Sequence, residues 1–230
     1  MAHPAMSMRP TLREGDRLTS LEFIRRWEAM PDLKHAELID GVVFCMASPV
    51  SLSHGTGQRD VIVWLSDYMD ATPGCDSGLD STWVMGPVNV PQPDVFLRIL
   101  PAYGGQSSET GDYGKGAPEL VVEVSGSSLS RDLGAKLELY RHSGVREYLT
   151  VLLNPRQVIW RQLVRGQYRE IVPGDGGLLR SRIFPGLWLD PEALSLRKKS
   201  IRKAVGRGVK SPEHAAFVKK LAAAYERKRQ

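Results

Sequence analysis

The stretch Leu120-Val121-Val122-Glu123-Val124-Ser125 decides the fold, because it sets one carboxylate into an otherwise apolar run. The aliphatic and β-branched residues on both sides of Glu123 predict a strand that is covered on both of its faces. An ionised carboxylate left there without a partner would cost several kcal/mol. The fold must therefore supply Glu123 with a cation or a proton.

Two other charged residues are candidates to meet Glu123. Asp94 opens a second apolar run, Pro93-Asp94-Val95-Phe96-Leu97, and Lys136 follows Glu123 on a predicted helix. Lys136 shares a helix face with apolar residues that include Tyr140, so the helix would carry it toward the sheet. A buried lysine needs an acid, and Glu123 is a candidate partner. The alternative is a lysine whose stem packs while its ammonium reaches water.

Two carboxylates and a lysine are the components of a metal-dependent phosphodiesterase site. Mg²⁺ prefers oxygen ligands and often takes only one or two carboxylates, keeping waters elsewhere. It supplies both a Lewis acid for the phosphoryl oxygen and a hydroxide at neutral pH. A lysine beside the scissile phosphate can orient the attacking water and stabilise developing charge. The spacing alone equally allows Asp94 to cap a turn and Glu123 to pair with a buried cation.

The order of the predicted elements indicates an α/β fold, a mixed sheet flanked by helices. Asp40-Gly41 is the two-residue turn of a predicted hairpin, and the Gly- and Ser-rich stretch 103–116 is predicted to be a mobile loop. The predicted elements are a helix from Thr19 to before Pro31, a hairpin over 37–44, a helix over about 53–70, strands at 81–85, 94–100 and 120–124, a helix over 130–142, a strand at 147–153, a hairpin over 157–172 and a last helix over 212–229.

The net charge of +5 is unevenly distributed along the 230 residues. The segment from Arg197 to Gln230 holds twelve of the 31 Lys and Arg residues and two of the 26 acids, so the preceding chain is mildly acidic. Such a basic segment favours a polyanion, with a solvated extension as the alternative. We expect a disordered segment over 1–17, one domain over 18–196, and a basic linker with a C-terminal helix over 197–230.

The chain contains no apolar run of the roughly 20 residues that span a membrane. The N-terminal residues lack the charged-then-apolar pattern of a signal peptide, so we expect a cytoplasmic protein without a membrane partner. Cys45 and Cys75 are too few for a disulfide framework, and we expect both to be reduced core thiols.

Several short motifs together resemble the Uma2 family, a branch of the PD-(D/E)XK nuclease superfamily. Each motif is weak alone, but their order and spacing are specific, and the resemblance covers about residues 18–190 of the predicted domain. The motifs are Glu37-Leu38-Ile39-Asp40-Gly41, His54 opening a helix, Pro93-Asp94-Val95, Pro118 to Ser125, Lys136-Leu137-Glu138-Leu139-Tyr140 and Gly144-Val145-Arg146-Glu147-Tyr148.

The resemblance implies a restriction-endonuclease-like fold that cuts DNA with Mg²⁺, for which Mn²⁺ can substitute. Asp94 and Glu123 would be catalytic metal-binding acids, with the Val124 carbonyl as a further ligand. The superfamily places its catalytic lysine two residues after the acid, where this chain has Ser125. The Uma2-like pattern takes the lysine from the following helix instead, at Lys136, which lies 13 residues after Glu123.

Three more residues are candidates for this site, and pairing of two copies is expected by analogy. Glu37 would be a third catalytic acid, or else an exposed hairpin residue. His54 would contact phosphate or product at the mouth of the site, or else cap its helix. Ser125 would contact substrate. Because nucleases of this fold often pair so that two sites address two strands, a homodimer is a further expectation.

The sequence therefore supports a divalent-metal-dependent DNA endonuclease as the leading function. The alternative is a catalytically inactive nucleic-acid-binding or scaffolding protein that keeps the fold, which Ser125 and the basic segment support. A two-carboxylate glycoside hydrolase is a weaker third hypothesis, since it gives Lys136 no role.

Overall fold

The apolar run around Glu123 forms a strand within a six-stranded sheet in the computed structural model, which describes residues 11–45, 49–126, 133–195 and 200–230. All six residues of this strand, Leu120–Ser125, are buried. The prediction of a strand covered on both faces is therefore confirmed.

The strands and helices are numbered in chain order. The strands are β1 (Ala36–Ile39), β2 (Val42–Cys45), β3 (Cys75–Leu79), β4 (Trp83–Val84), β5 (Val95–Ile99), β6 (Ser108–Thr110), β7 (Tyr113–Lys115), β8 (Leu120–Ser125), β9 (Glu147–Leu153), β10 (Arg156–Val164), β11 (Gln167–Glu170), β12 (Leu179–Arg180) and β13 (Trp188–Leu189). The helices are α1 (Ser20–Glu28), α2 (Leu52–Asp70), α3 (Ala135–Ser143), α4 (Pro191–Ser195), α5 (Arg202–Gly208) and α6 (Pro212–Arg229).

The central sheet is mixed, as the order of elements predicts. Its strand order is β11-β10-β9-β8-β5-β3, and β8 runs parallel to β9 while the other neighbours are antiparallel. Between β5 and β8 the register pairs Val95 with Val122. Asp94 directly precedes Val95 and Glu123 directly follows Val122, so the two acids lie at neighbouring backbone positions.

Helices cover both faces of the sheet, because successive residues of β8 point to opposite sides. Val122 and Val124 lie in the largest apolar cluster with Trp64 of α2. Val121, on the other side, belongs to a second cluster with Tyr140 of α3. The carboxylate of Glu123 faces the α3 side, where it breaks an otherwise apolar layer.

Most predicted elements are present, and the differences have local causes. The Asp40-Gly41 turn has positive φ at both residues, 49° and 76°, as a type I′ hairpin requires. Helix α3 begins at Ala135, after the non-helical Gly134. The predicted start near residue 130 falls within residues 127–132, which lie outside the described part of the chain. Strand β3 was not predicted. The stretch 103–116, predicted to be a mobile loop without strands, contains the β6–β7 hairpin, so the prediction is wrong in its secondary structure.

Residues 11–17 and helix α6 both contact the domain. Residues 1–10 of the expected disordered segment lie outside the described residues, but Leu12 is buried and Arg17 bridges to Val42. In the basic segment, Phe217 and Leu221 of α6 belong to the largest apolar cluster. Within the described residues, no helix is long and apolar enough to cross a bilayer.

Candidate functional site

Lys136 lies at the centre of a buried ionic cluster on the α3 side of the sheet. Its side chain is 5% exposed, and its Nζ lies 3.0 Å from Glu123 Oε1 and 2.9 Å from Glu37 Oε1. The helix period of α3 turns this residue inward, so the predicted pairing with Glu123 is confirmed. The alternative of a lysine that reaches water is wrong, because the ammonium is held between two carboxylates.

Glu37 extends from the hairpin strand β1 and is fully buried. Its Oε1 accepts hydrogen bonds from the Gln92 amide at 2.8 Å and from Lys136. Among the described residues, no hydrogen-bond partner reaches its Oε2. The alternative of an exposed hairpin residue is therefore wrong, and Glu37 is the second acid of the buried ionic cluster.

Tyr140 gives Glu123 a second donor. Its hydroxyl donates to Glu123 Oε1 at 2.7 Å, one helical turn beyond Lys136. Burial, followed by the charges of Glu123 and Glu37, raises the pKa of Tyr140 well above its ordinary value. The phenol therefore stays protonated and acts as a permanent donor, which fixes the orientation of the carboxylate.

Asp94 immediately precedes β5 and is held from the α2 side. Its Oδ2 accepts a hydrogen bond from the Val124 amide at 2.6 Å, so this carboxylate rests on the residue that follows Glu123. Its Oδ1 lies 3.1 Å from Gln58 Nε2 and 3.3 Å from His54 Nε2. The structure thus gives Asp94 more than a turn-capping position.

The first turn of α2 brings His54 and Gln58 to this edge of the sheet. Ser51 caps the helix by accepting from the His54 amide. A Cβ at Gly57 would lie 2.7 Å from Val124 Cγ1, so glycine allows α2 to approach β8 closely there. The hydrogen bond to Asp94 is the main cause that raises the pKa of His54, and burial opposes it. His54 is therefore positioned to carry a proton beside the acid.

Gln58 and Asp80 also lie at this edge of the sheet, although neither was predicted from the sequence as a site residue. Gln58 Nε2 donates to Asp80 Oδ1 at 3.1 Å as well as to Asp94. Burial, and next the Asp94 carboxylate, raise the pKa of Asp80. Gln58 lies four residues after His54 on one helix face, which is a signal the sequence contains. Asp80 has no such signal, because only the turn after β3 places it there.

Ser125 has little access to a large ligand. It is 1% exposed and stands opposite Leu152 in the parallel pair of β8 and β9. Its position two residues after Glu123 puts it on the same side of the strand. Its expected contact with substrate stays a prediction.

The residues around Glu123 fit a hard divalent cation. Asp94, Glu123 and the Val124 carbonyl would offer oxygen donors only, the ligand type with which Mg²⁺ is held by one or two carboxylates and waters. Glu37 adds a buried carboxylate oxygen without a partner among the described residues. Over those same residues, no group of three or more His, Cys, Asp or Glu side chains is arranged to hold a metal. The fit therefore depends on two acids and one backbone oxygen.

The mixed sheet flanked by helices is of the restriction-endonuclease-like class of nuclease folds. The family model Uma2, described as "Putative restriction endonuclease", matches residues 21–192. The chain belongs to this family, and the resemblance inferred from the sequence is confirmed.

One solved structure supports the same fold. The chain is similar to a putative nuclease belonging to DUF820 from Anabaena variabilis ATCC 29413, with a TM-score of 0.52 and 13% sequence identity. The match covers 80% of this chain and 97% of that chain. The comparison with curated proteins finds no significant match.

Proposed function

We propose that this protein is a divalent-metal-dependent DNA endonuclease that hydrolyses phosphodiester bonds. The observation that carries the proposal is the contact between Asp94 and the Val124 amide, which sets one carboxylate beside the residue that follows Glu123. Glu123 is in turn held by Lys136. Membership of a nuclease-like family and the oxygen-only donor set support the same chemistry.

Each side chain has a distinct part in this proposal. Asp94, Glu123 and the Val124 carbonyl would hold Mg²⁺ or Mn²⁺, which would polarise the phosphoryl oxygen and lower the pKa of a bound water. Lys136 provides a fixed positive charge between Glu37 and Glu123, where negative charge develops as the phosphate reacts. His54, with its raised pKa, adds a proton donor beside Asp94.

The second candidate is a catalytically inactive nucleic-acid-binding or scaffolding protein. A specific observation favours it: Lys136 already contacts two buried carboxylates, so the cluster could serve only to stabilise the fold. Buried charges of this kind are often retained without catalytic use. A homodimer and a cytoplasmic location stay predictions of the sequence.

Nicking of supercoiled plasmid with Mg²⁺ or Mn²⁺ separates the two candidates. We expect Asp94→Asn, Glu123→Gln and Lys136→Ala each to reduce the nicking rate at least about 100-fold. Glu138→Gln is the matched control, because Glu138 is an exposed acid on α3 that pairs with Arg141. It should leave the rate unchanged. If native protein and all variants bind DNA equally and none cuts, the inactive candidate is correct.

A further inference from the structure

A cavity of about 300 Å³ lies on the α3 side of the sheet, between β4, β5 and the β6–β7 hairpin. Its walls include Trp83 and Phe96, whose rings meet edge to face with centroids 4.9 Å apart. Both rings belong to the apolar cluster that also contains Tyr140, the residue that donates to Glu123. One apolar cluster therefore links the walls of the cavity to the residue that donates to Glu123.

The position of the cavity along β5 relates it to the proposed site. Phe96 is two residues from Asp94 and Arg98 is four residues from it, which corresponds to about 7 and 13 Å along a strand. Stacked nucleotides are about 3.4 Å apart along one strand. The cavity is thus two to four nucleotides away from a phosphate held at the carboxylates.

Arg98 lines the cavity and is held in a fixed orientation by two ion pairs. The residue is 8% exposed, and its guanidinium bonds Asp76 through Nε at 2.9 Å and Glu109 through Nη2 at 2.6 Å. Within the described residues, Nη1 has no hydrogen-bond partner, since the bonds of this side chain leave from Nε and Nη2. Two ion pairs hold the guanidinium plane in place, so Nη1 is a pre-oriented donor.

The rim and one wall of the cavity supply acceptors and aromatic surface. Glu109 is 63% exposed in its side chain, and Asp112 and Tyr113 follow it in the hairpin. A Cβ at Gly114 would lie 2.4 Å from the Trp83 ring, so glycine lets the hairpin backbone rest directly on the indole. The Nε1 of Trp83 is buried without a partner in the part of the chain that the structure describes.

The charge balance decides between two kinds of ligand. One arginine and two acids, Glu109 and Asp112, line the cavity, so its lining is net negative and disfavours a phosphate. A neutral planar ring with both donors and acceptors on its edge suits this lining. Arginine donates to base acceptors, and carboxylates accept from exocyclic amines. The volume is at the small end of ligand cavities.

We propose that this cavity binds one unstacked nucleobase of the nucleic-acid strand whose phosphate lies at Asp94 and Glu123. The inference rests on the proposed nuclease function for its substrate class. Arg98 and Glu109 read the edge of the base, while Trp83, Phe96 and Tyr113 form the apolar surroundings. The pocket would make the protein selective for the base near the cut.

The test is a binding measurement with Ca²⁺, which takes oxygen ligands as Mg²⁺ does and can still join the phosphate to the carboxylates; gel electrophoresis checks that the strand stays uncut. Fluorescence anisotropy compares a labelled all-abasic 12-mer with the same strand carrying one central base, for each of the four bases. We expect at least one base to tighten binding about 10-fold. Glu109→Gln and Arg98→Lys should remove this gain. Glu138→Gln, an exposed acid outside the cavity, should keep it.

Thermal melting of Glu109→Gln and Arg98→Lys shows whether either variant remains folded. Glu109 is largely exposed, so its variant keeps the test valid even if Arg98→Lys unfolds. Equal affinity for the abasic and base-containing strands would overturn the proposal. So would a gain that both folded variants keep, or binding of free nucleosides without any gain for the strand. Absence of plasmid nicking would instead count against the nuclease function alone.

Discussion

Glu123 and Glu147 lie on adjacent parallel strands, and both are buried in the same sheet, yet their surroundings differ. Glu123 receives Lys136 and Tyr140 from α3. Glu147 accepts the Ser181 hydroxyl at 2.8 Å and the Arg182 amide at 2.6 Å, both from one short segment. The comparison teaches that buried carboxylates can serve different purposes: one is paired with a cation beside an acid-rich edge, while the other anchors a loop.

The protonation behaviour of Glu147 follows from its neutral donors. Burial raises the pKa of Glu147 to about 7, and the hydrogen bonds from Ser181 and the backbone oppose this only in part. Glu123 instead has an ammonium 3.0 Å away, which stabilises the carboxylate form. A cation-paired acid suits metal chemistry at neutral pH, and a titrating acid without a cation suits a structural role.

The largest expected effect on stability comes from replacing Lys136, whose ammonium is the cation of the buried ionic cluster. Lys136→Met should lower the free energy of unfolding by about 3–5 kcal/mol, because Glu37 and Glu123 would be left without their shared buried partner. Urea denaturation measures this decrease. Lys210→Met is the control, since Lys210 is exposed and its substitution should change stability by less than about 0.5 kcal/mol. A decrease as small as the control's would contradict the buried ionic cluster.

The second effect is a pH dependence of stability that we expect from Glu147 and that distinguishes it from Glu123. The folded-state pKa of Glu147 is raised above its ordinary value of 4.5 to about 7, so the folded state holds the proton more tightly. The stability it contributes is complete below about pH 4.5 and is lost as the pH rises through 7. Glu147→Gln, which stays neutral, should therefore be more destabilising at pH 5 than at pH 8, by up to about 3 kcal/mol.

Urea denaturation of native protein and Glu147→Gln at the two pH values tests this expectation. The exposed Glu213→Gln variant serves as a matched control and should show no such pH-dependent difference. A stability difference that is the same at pH 5 and pH 8 would show that Glu147 does not titrate in this range.

A smaller effect is expected at Glu37. Glu37→Gln should change the free energy of unfolding by about 1 kcal/mol or less, because its amide oxygen can still accept from the Gln92 amide and Lys136 keeps Glu123. Urea denaturation measures the free energy of unfolding of Glu37→Gln and of Lys136→Met under the same conditions. A decrease as large as that of Lys136→Met would mean that Glu37 is the dominant partner of the lysine.

The smallest effect concerns the basic segment. Lys219 and Lys220 are exposed on α6, and Lys219→Glu combined with Lys220→Glu should weaken DNA binding. The slope of log affinity against log salt concentration should become shallower by about 0.9 for each phosphate that α6 no longer neutralises. Deleting the segment is a poorer test, because Phe217 and Leu221 would leave the core. The matched control replaces both lysines with arginine; an unchanged salt slope in the glutamate variant would exclude phosphate binding there.

Part of the candidate site was predictable because helix and strand periods are local. The 3.6-residue period of α3 turns Lys136 toward the sheet, and the apolar run of β8 leaves Glu123 in need of a cation. The burial of Glu37 was not predictable, since it depends on Lys136 and the Gln92 amide meeting it from other parts of the chain. The sequence likewise contains no sign that Asp80 shares Gln58 with Asp94.

In the fold, too, some elements were predictable from local sequence and others depend on contacts with distant segments. Strand β8, the Asp40-Gly41 hairpin and the capped helix α6 follow from apolar runs, turn chemistry and a Ser-Pro start. Strand β3 does not, because Asp76, Ser77 and Gly78 have weak strand propensity. The segment becomes a strand because it pairs with β5. Glycine is needed at position 78 because a Cβ there would lie 2.8 Å from the Phe96 ring. Neighbouring strands override propensity where a close approach is needed.

By itself the sequence determined a buried carboxylate, an inward-facing lysine and a mixed sheet to hold them, since each depends on periodicity within one element. Only the tertiary structure decided that Glu37 shares Lys136, that Asp94 rests on the Val124 amide, and that a small cavity lies between β4, β5 and the β6–β7 hairpin. The physical reason is that hydrogen bonds and cavities form between segments far apart in the chain. Their geometry is set by packing, which no local pattern records.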